Sequence, residues 1–470
     1  MKQYDVIVIG SGGGSKITSP AARLGLKVAC IEKDKLGGTC LNRGCIPSKM
    51  LIHPADVAEE IKQARKFDLH VDPNFSVDFG KLINRISNTV DSDSEKIEAS
   101  YEKNPNIDFY NAPCRFVDDK VIEVDGQKIT ADKIFIAVGA RPKIPNIPGL
   151  AGTPFMTSTE ALRNTQLPKR MIIIGGGYIA VELGHAYGAL GTEVHFFVRS
   201  QFLRGEDKDV VEEFTKVFSK KYHVHQPAII NKIEYQNRVF TVWYSEGNKT
   251  DLKLAADSLL IAMGVVPNTD TLGLQNTNIH LKDESFIKVD DHLETTAKGV
   301  YAMGDCVGNY FFRHSVNFEG EYLWRTVFAQ QSHEPIRYPP IPHAVFTSPQ
   351  IAAVGKTEDQ LQNDGKVRDQ DYVVGLSPYK NSGMGMAFLS DHGFCKILID
   401  RRTQKILGAH IIGPQASNMI HMIIAFMNKD GTLDDLLNMI YIHPAFPEIV
   451  RNAARKAKAE FEKQSADAKN

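Results

Sequence analysis

The sequence predicts an α/β protein with two strand–glycine turn–helix–strand units and a C-terminal α+β region. Three observations predict it. An apolar run at 4–10 breaks into glycines and re-forms as a strand at 27–32. The same order of residues returns at 170–198. After residue 342, β-patterned stretches alternate with helical ones.

In the first unit, residues 4–10 suit a buried parallel strand, and a helix is expected through Ala21, Ala22 and Leu24. Gly10, Gly12 and Ser15 fit G-x-G-x-x-G/A, with serine in the last place. Gly10 permits the tight turn, and Gly12 lets a pyrophosphate approach backbone N–H groups at a helix N-terminus. Glu32, at the end of the second strand, stands where an acid binds ribose hydroxyls. Strand, turn, helix and acid in this order point to a dinucleotide. A glycine-rich turn of another α/β protein is the competing reading.

The second unit reads Gly175-Gly176-Gly177-Tyr178-Ile179-Ala180 and leads into a strand at 193–198. Val198 occupies the place where an NAD enzyme carries an acid, and Arg199 and Arg204 follow. Guanidinium groups fork onto phosphate oxygens, so these arginines suit a 2′-phosphate and NADPH is preferred over NADH. Two ordinary surface charges are the alternative. Proline-rich stretches at 142–154 and 335–342 read as linkers. Beyond them, 343–354 and 393–412 are β-patterned, 417–428 and 433–439 helical, and 455–470 a charged, solvated helix.

The 470 residues allow two to four domains. A net charge of -1 gives no electrostatic reason for a nucleic-acid or membrane partner, and no apolar run approaches the roughly 20 residues of a membrane helix. The N-terminus runs directly into a strand, which leaves no room for a signal peptide, so a cytoplasmic location is expected.

Six cysteines in so long a chain do not make a disulfide scaffold. Cys40 and Cys45 stand apart, flanked by glycines and followed by Pro47, a residue suited to a helix's first turn. Cys45 then lies near a helix N-terminus, where the dipole favours thiolate. In a reducing cytosol such a pair is catalytic rather than structural. No further ligands lie nearby, so no metal is expected.

The stretch from Gly37-Gly38-Thr39-Cys40 to Cys45-Ile46-Pro47-Ser48-Lys49 resembles the pyridine nucleotide-disulfide oxidoreductases, which include dihydrolipoyl dehydrogenase and the glutathione and mycothione reductases. Matching motifs run through the chain: Ala137-Val138-Gly139 with Arg141, Gly304-Asp305, His343 to Pro349, and His443-Pro444 to Glu448. The resemblance implies two Rossmann-like domains and a C-terminal α+β dimerisation domain. Residues 1–150 and 268–342 would bind FAD, 151–267 NAD(P), 343–455 would dimerise, and 456–470 form a charged tail. FAD would meet Gly10, Gly12, Gly14, Ser15, Glu32, Lys33, Gly38, Thr39, Lys49, Gly139, Gly304 and Asp305. NAD(P) would meet Gly175, Gly177, Tyr178, Ile179, Glu182, Arg199, Arg204 and Gly264. Lys49 and Glu182 would pair beside the flavin, and Tyr178 would shield the nicotinamide pocket.

The catalytic set implied is Cys45 facing flavin, Cys40 facing a disulfide or dithiol substrate, and a His443–Glu448 dyad reaching the other subunit of a homodimer. His314 resembles the dihydrolipoyl and mycothione enzymes, whereas the two arginines resemble the NADPH-using reductases. A dihydrolipoyl dehydrogenase-like enzyme stands first and a low-molecular-weight disulfide reductase second. A metal-ion or quinone reductase, or a redox sensor, is the third class.

Overall fold

A computed structural model describes residues 1–329 and 334–467, the last four as backbone. The end of the expected charged tail, 468–470, lies outside the described residues.

The first sheet is built around the strand Lys2–Ile9, whose residues alternate between two cores. Val6 and Val8 pack with Ile17 and Ala21 of the helix Ser15–Arg23, while Ile7 and Ile9 face Phe116 and Ile134. It lies between Val28–Ile31 and Gln127–Ile136 in parallel register. Ile107–Tyr110 extends one side, and Val300–Ala302, much later in the chain, adds in parallel to the end of Gln127–Ile136. This is a doubly wound order, which places ligands beyond the carboxyl ends of the strands.

The second sheet repeats the plan with four parallel strands ordered His223–His225, Glu193–Phe197, Arg170–Ile174 and Ser258–Ile261. An antiparallel meander, Ala228–Gln236, Val239–Glu246 and Lys249–Ala256, covers one face. The proline-rich stretch after 142 begins at a two-strand link, Ala140–Pro142 against Val265–Pro267, where the chain passes between the two sheets.

The helices Cys45–Gln63 and Phe79–Glu102 share one core with Tyr178–Ala189 through Leu51, Ile83, Val181 and Leu183. That shared core brings the cysteine segment against the second glycine turn. The C-terminal region forms one antiparallel sheet ordered His343–Val345, Ile351–Gly355, Ile406–Ile412, Phe394–Asp400 and Tyr372–Pro378. The expected helical stretches form Ala416–Met427 and Leu433–Asn438.

The segment 455–470, read as a charged, solvated helix, is helical in its described part, with Arg455, Lys456 and Lys458 exposed. Helix Glu448–Asp467 runs through it, with Ala453, Ala454 and Ala457 fully buried on the sheet. Gly375 makes the close approach possible, since a Cβ there would stand 2.0 Å from the Ala453 carbonyl oxygen. Among the described residues no helix is long and apolar enough to cross a membrane.

Candidate active site

At Gly10 and Gly14 the first glycine turn leaves no room for a side chain. Gly10 has φ +98°, and a Cβ there would stand 2.3 Å from the Ala137 carbonyl oxygen. Gly14 is as constrained, with a Cβ falling 2.1 Å from the Gly10 oxygen. Ser15 opens the helix and donates to the Gly12 carbonyl at 2.8 Å. Glu32 accepts from the Ser11 amide and hydroxyl at 3.0 and 2.8 Å, which fixes its carboxylate under the turn. Gly12 faces Gly38 and the Arg313 guanidinium, and Lys33 and Thr39 are exposed nearby in sequence.

At the end of Val300–Ala302, Gly304 (φ +76°) donates its N–H to the buried Glu319 at 2.6 Å. Burial pushes the carboxyl of half-buried Asp305 up to about 6, offset only by its own backbone N–H. A carboxyl removed from water without side-chain donors fits a ligand that brings hydroxyl groups, as the ribityl chain of FAD does. Glu319 has no sequence motif to announce it.

Cys40 lies in the short helix Gly38–Arg43 and Cys45 opens the helix Cys45–Gln63, so the expected helix N-terminus is present. Both are free thiols, Cys40 half-buried and Cys45 exposed. Cys45 is expected to be the thiolate against bound flavin; in the dithiol described here the bond between the two thiols lowers Cys40 and raises Cys45. The Cys40 pKa is drawn down to about 7 by the hydrogen bond from the Cys45 thiol, then by Arg313, the Cys45 amide and Lys49. The Cys45 amide at the helix N-terminus favours the thiolate form of either sulfur.

One helical turn on, Lys49 Nζ lies 2.7 Å from Glu182 Oε2 and 4.4 Å from the Phe346 ring. Glu182 is buried, and its other oxygen accepts the Phe346 amide at 3.0 Å. Tyr178 donates its hydroxyl to Glu206 at 2.7 Å, and His343 Nε2 lies 2.7 Å from the same oxygen. The rings of Tyr178, Phe312 and His343 stack against one another, and Phe312 stacks on His314 at 5.1 Å. Phe312 and His314 thus join a wall that the sequence left without a location. Glu206 is buried and keeps its second oxygen without a partner among the described residues, an acceptor left for a donor.

The second glycine turn holds Gly175 at φ +138°, and the space where a Cβ of Gly177 would stand is open. Gly177 caps the helix Tyr178–Ala189 without a side chain, so its first N–H groups are free for a phosphate. Ile179 is exposed at the mouth, and Gly264 (φ +97°) also faces open space. Val198 is buried, whereas Arg199 and Arg204 are exposed, and Arg204 bonds Ser200.

His443 is not gathered with these groups within one chain. Its Nδ1 lies 3.1 Å from both oxygens of buried Glu448, which also accepts from Arg451 at 2.7 Å and from the Ala445 amide at 3.1 Å. His443 itself is 75% exposed, beside Ile440 at 99% and Ile442 at 80%. Apolar side chains so fully exposed mark a face that another chain covers.

Two dinucleotide turns, a thiol pair and a lysine–glutamate pair define a flavin- and pyridine nucleotide-dependent disulfide oxidoreductase. The chain belongs to the pyridine nucleotide-disulphide oxidoreductase family: the family model of that description matches residues 4–329, and that of the family's dimerisation domain residues 341–454. Mycothione reductase of Mycobacterium tuberculosis is 34% identical, over 96% of this chain and 99% of that protein. Dihydrolipoyl dehydrogenase of Cupriavidus necator is 32% identical over 96% and 98%. The structure of the HOCl-induced flavoprotein disulfide reductase RclA from Escherichia coli, as a Cu(II) complex, superposes with a TM-score of 0.86, 27% identity and coverage of 97% and 99%.

Proposed function

We propose that this chain transfers electrons from NADPH to a small disulfide through Cys40 and Cys45. The observation that carries the reading is a free thiol pair, Cys40 half-buried and Cys45 opening the helix Cys45–Gln63, one turn from the Lys49–Glu182 ion pair. FAD, held by the first glycine turn and Asp305, supplies the two-electron relay between nicotinamide and disulfide. Tyr178, anchored on Glu206, covers the nicotinamide pocket, and Arg199 and Arg204 take the 2′-phosphate.

In the reduced enzyme Cys40 thiolate attacks one sulfur of the substrate disulfide. A mixed disulfide forms, and the departing thiolate takes a proton from His443 of the partner subunit, held in orientation by Glu448. Cys45 then attacks the Cys40 sulfur, which releases the second product thiol and re-forms the Cys40–Cys45 disulfide. Each cycle turns one substrate disulfide into two thiols, with NADPH and one proton consumed. The exposed isoleucines beside His443 support a homodimer in which each site is completed by the other chain.

A second reading is oxidation of a dihydrolipoyl-type dithiol by the reverse steps, the activity that names the Cupriavidus necator relative. A steady-state panel separates the two. It crosses NADH and NADPH with lipoamide, glutathione disulfide and a mycothione-like disulfide. Tenfold or greater preference for NADPH with a small disulfide supports the first reading. Tenfold preference for NADH removes the role given to Arg199 and Arg204, and turnover of dihydrolipoamide with NAD selects the second.

A further inference from the structure

A cluster of imidazoles and carboxylates lies on the edge of the second sheet. Glu193 and His195 are two residues apart on the strand Glu193–Phe197, so both point to one face. His223, on the edge strand His223–His225, is the register partner of His195, and the two rings stack at 4.4 Å. His225 follows on the same face and Glu246 reaches over from the covering meander. Glu193 and His223 open their strands, at the amino-terminal side, away from the end where a dinucleotide binds.

The hydrogen bonding is short of one positive charge. Glu193 Oε1 lies 2.9 Å from His195 Nε2, His195 Nδ1 lies 3.2 Å from His225 Nε2, and His225 Nδ1 lies 3.1 Å from Glu246 Oε2. These are three gaps in a row between two carboxylates, while two neutral imidazoles supply two N–H protons. If His225 donates to Glu246 and His195 to His225, the lone pair of His195 Nε2 faces a Glu193 lone pair. A further proton or a metal ion completes the row.

Donor atoms of Glu193, His195 and His223 all lie within 4.8 Å of one another. We propose that these three residues bind a divalent cation of the zinc(II)–copper(II) class, with His225 and Glu246 fixing the His195 tautomer from behind. Imidazole nitrogen with one carboxylate is the donor set such ions take, and a histidine ligand whose other nitrogen bonds a carboxylate-backed partner is the usual support. Arg170 holds Glu193 through both oxygens at 2.9 and 3.0 Å; each oxygen has a second lone pair, so Glu193 can still ligate. His223 and Glu193 are exposed, which leaves an entry path and room for water ligands. The ion would staple the edge strand to its neighbour.

The test uses the FAD-loaded, oxidised full-length protein, in which Cys40 and Cys45 are tied up and do not compete for metal. Zinc(II) alone is titrated by calorimetry, with thermal unfolding recorded at saturation. Expected are one ion per chain, a raised Tm, and at least tenfold weaker binding in His223→Ala and in Glu193→Gln. Glu246→Gln, which leaves all three ligands, weakens binding without abolishing it. Absence of binding by the parent protein, or unchanged affinity in both ligand variants, overturns the proposal.

Discussion

Lys49 and Glu182 meet at 2.7 Å between two helices that belong to different sheets, Cys45–Gln63 and Tyr178–Ala189. The contact links the helix that begins with a redox cysteine to the helix that begins at the second glycine turn. Glu182 is buried and bonded on both oxygens, so it fixes where the ammonium stands. Lys49 in turn lowers the pKa of Cys40.

Lys49→Met therefore removes a cation from the thiol pair while keeping much of its stem packing. The expected outcome is a fall in turnover of about ten- to a hundredfold, the size of losing one preorganised charge. Glu182→Gln keeps the side-chain shape but only one of the two acceptor oxygens, and with Lys49 still present it should cost less. Single-turnover reduction by NADPH, followed at the flavin absorbance, checks both.

Cys40 makes the half-reaction with substrate pH-dependent. Its pKa of about 7 means that the thiolate is the minority form below that pH and the majority above it. Alkylation of the reduced enzyme by iodoacetamide should accelerate as pH rises, with a midpoint near 7. Cys45→Ala removes the thiol donor, so the midpoint should move up toward about 8.5, the value of an ordinary thiol.

His443 and Cys40 acting from different chains gives a complementation result. Cys45→Ser and His443→Ala homodimers should each be inactive. After mixing and subunit exchange, half the dimers are hybrids with one intact site of two. Activity should return to about a quarter of the parent value. No recovery despite proven exchange would place His443 on its own chain's cysteines.

Lys396 is 1% exposed and pairs with Asp207 at 2.9 Å, Asp209 at 2.7 Å and Glu358 at 2.7 Å, which ties the C-terminal sheet to the second one. Lys396→Met leaves three carboxylates facing one another, Asp207 fully buried among them. A buried ion pair broken on one side costs about 3–5 kcal/mol. Chemical denaturation of the variant should show a loss of that size, with the flavin spectrum of the folded protein unaltered.

Much of the architecture was legible because glycine turns and strand periodicity are local. Gly10 and Gly175 each sit where a side chain would meet a neighbouring carbonyl, so their positions in the sequence mark the turns directly. The helix Glu448–Asp467 was less legible, since beyond Ile449 and Val450 its fully buried residues are alanines. The wall of Tyr178, Glu206, Phe312 and His343 was not legible as a unit. Glu206 and His343 are 137 residues apart, and a contact of that span has no local pattern.

The central claim is that Cys40 and Cys45 carry the electrons, and counting thiols tests it most directly. The oxidised, FAD-loaded enzyme is given NADPH without oxygen, quenched with an alkylating agent, and mapped by peptide mass spectrometry. NADPH should add two alkylated sites, Cys40 and Cys45, that are blocked before reduction, while Cys30, Cys114, Cys306 and Cys395 are unchanged. Reduction of the flavin with no new thiols at Cys40 and Cys45 would contradict the account.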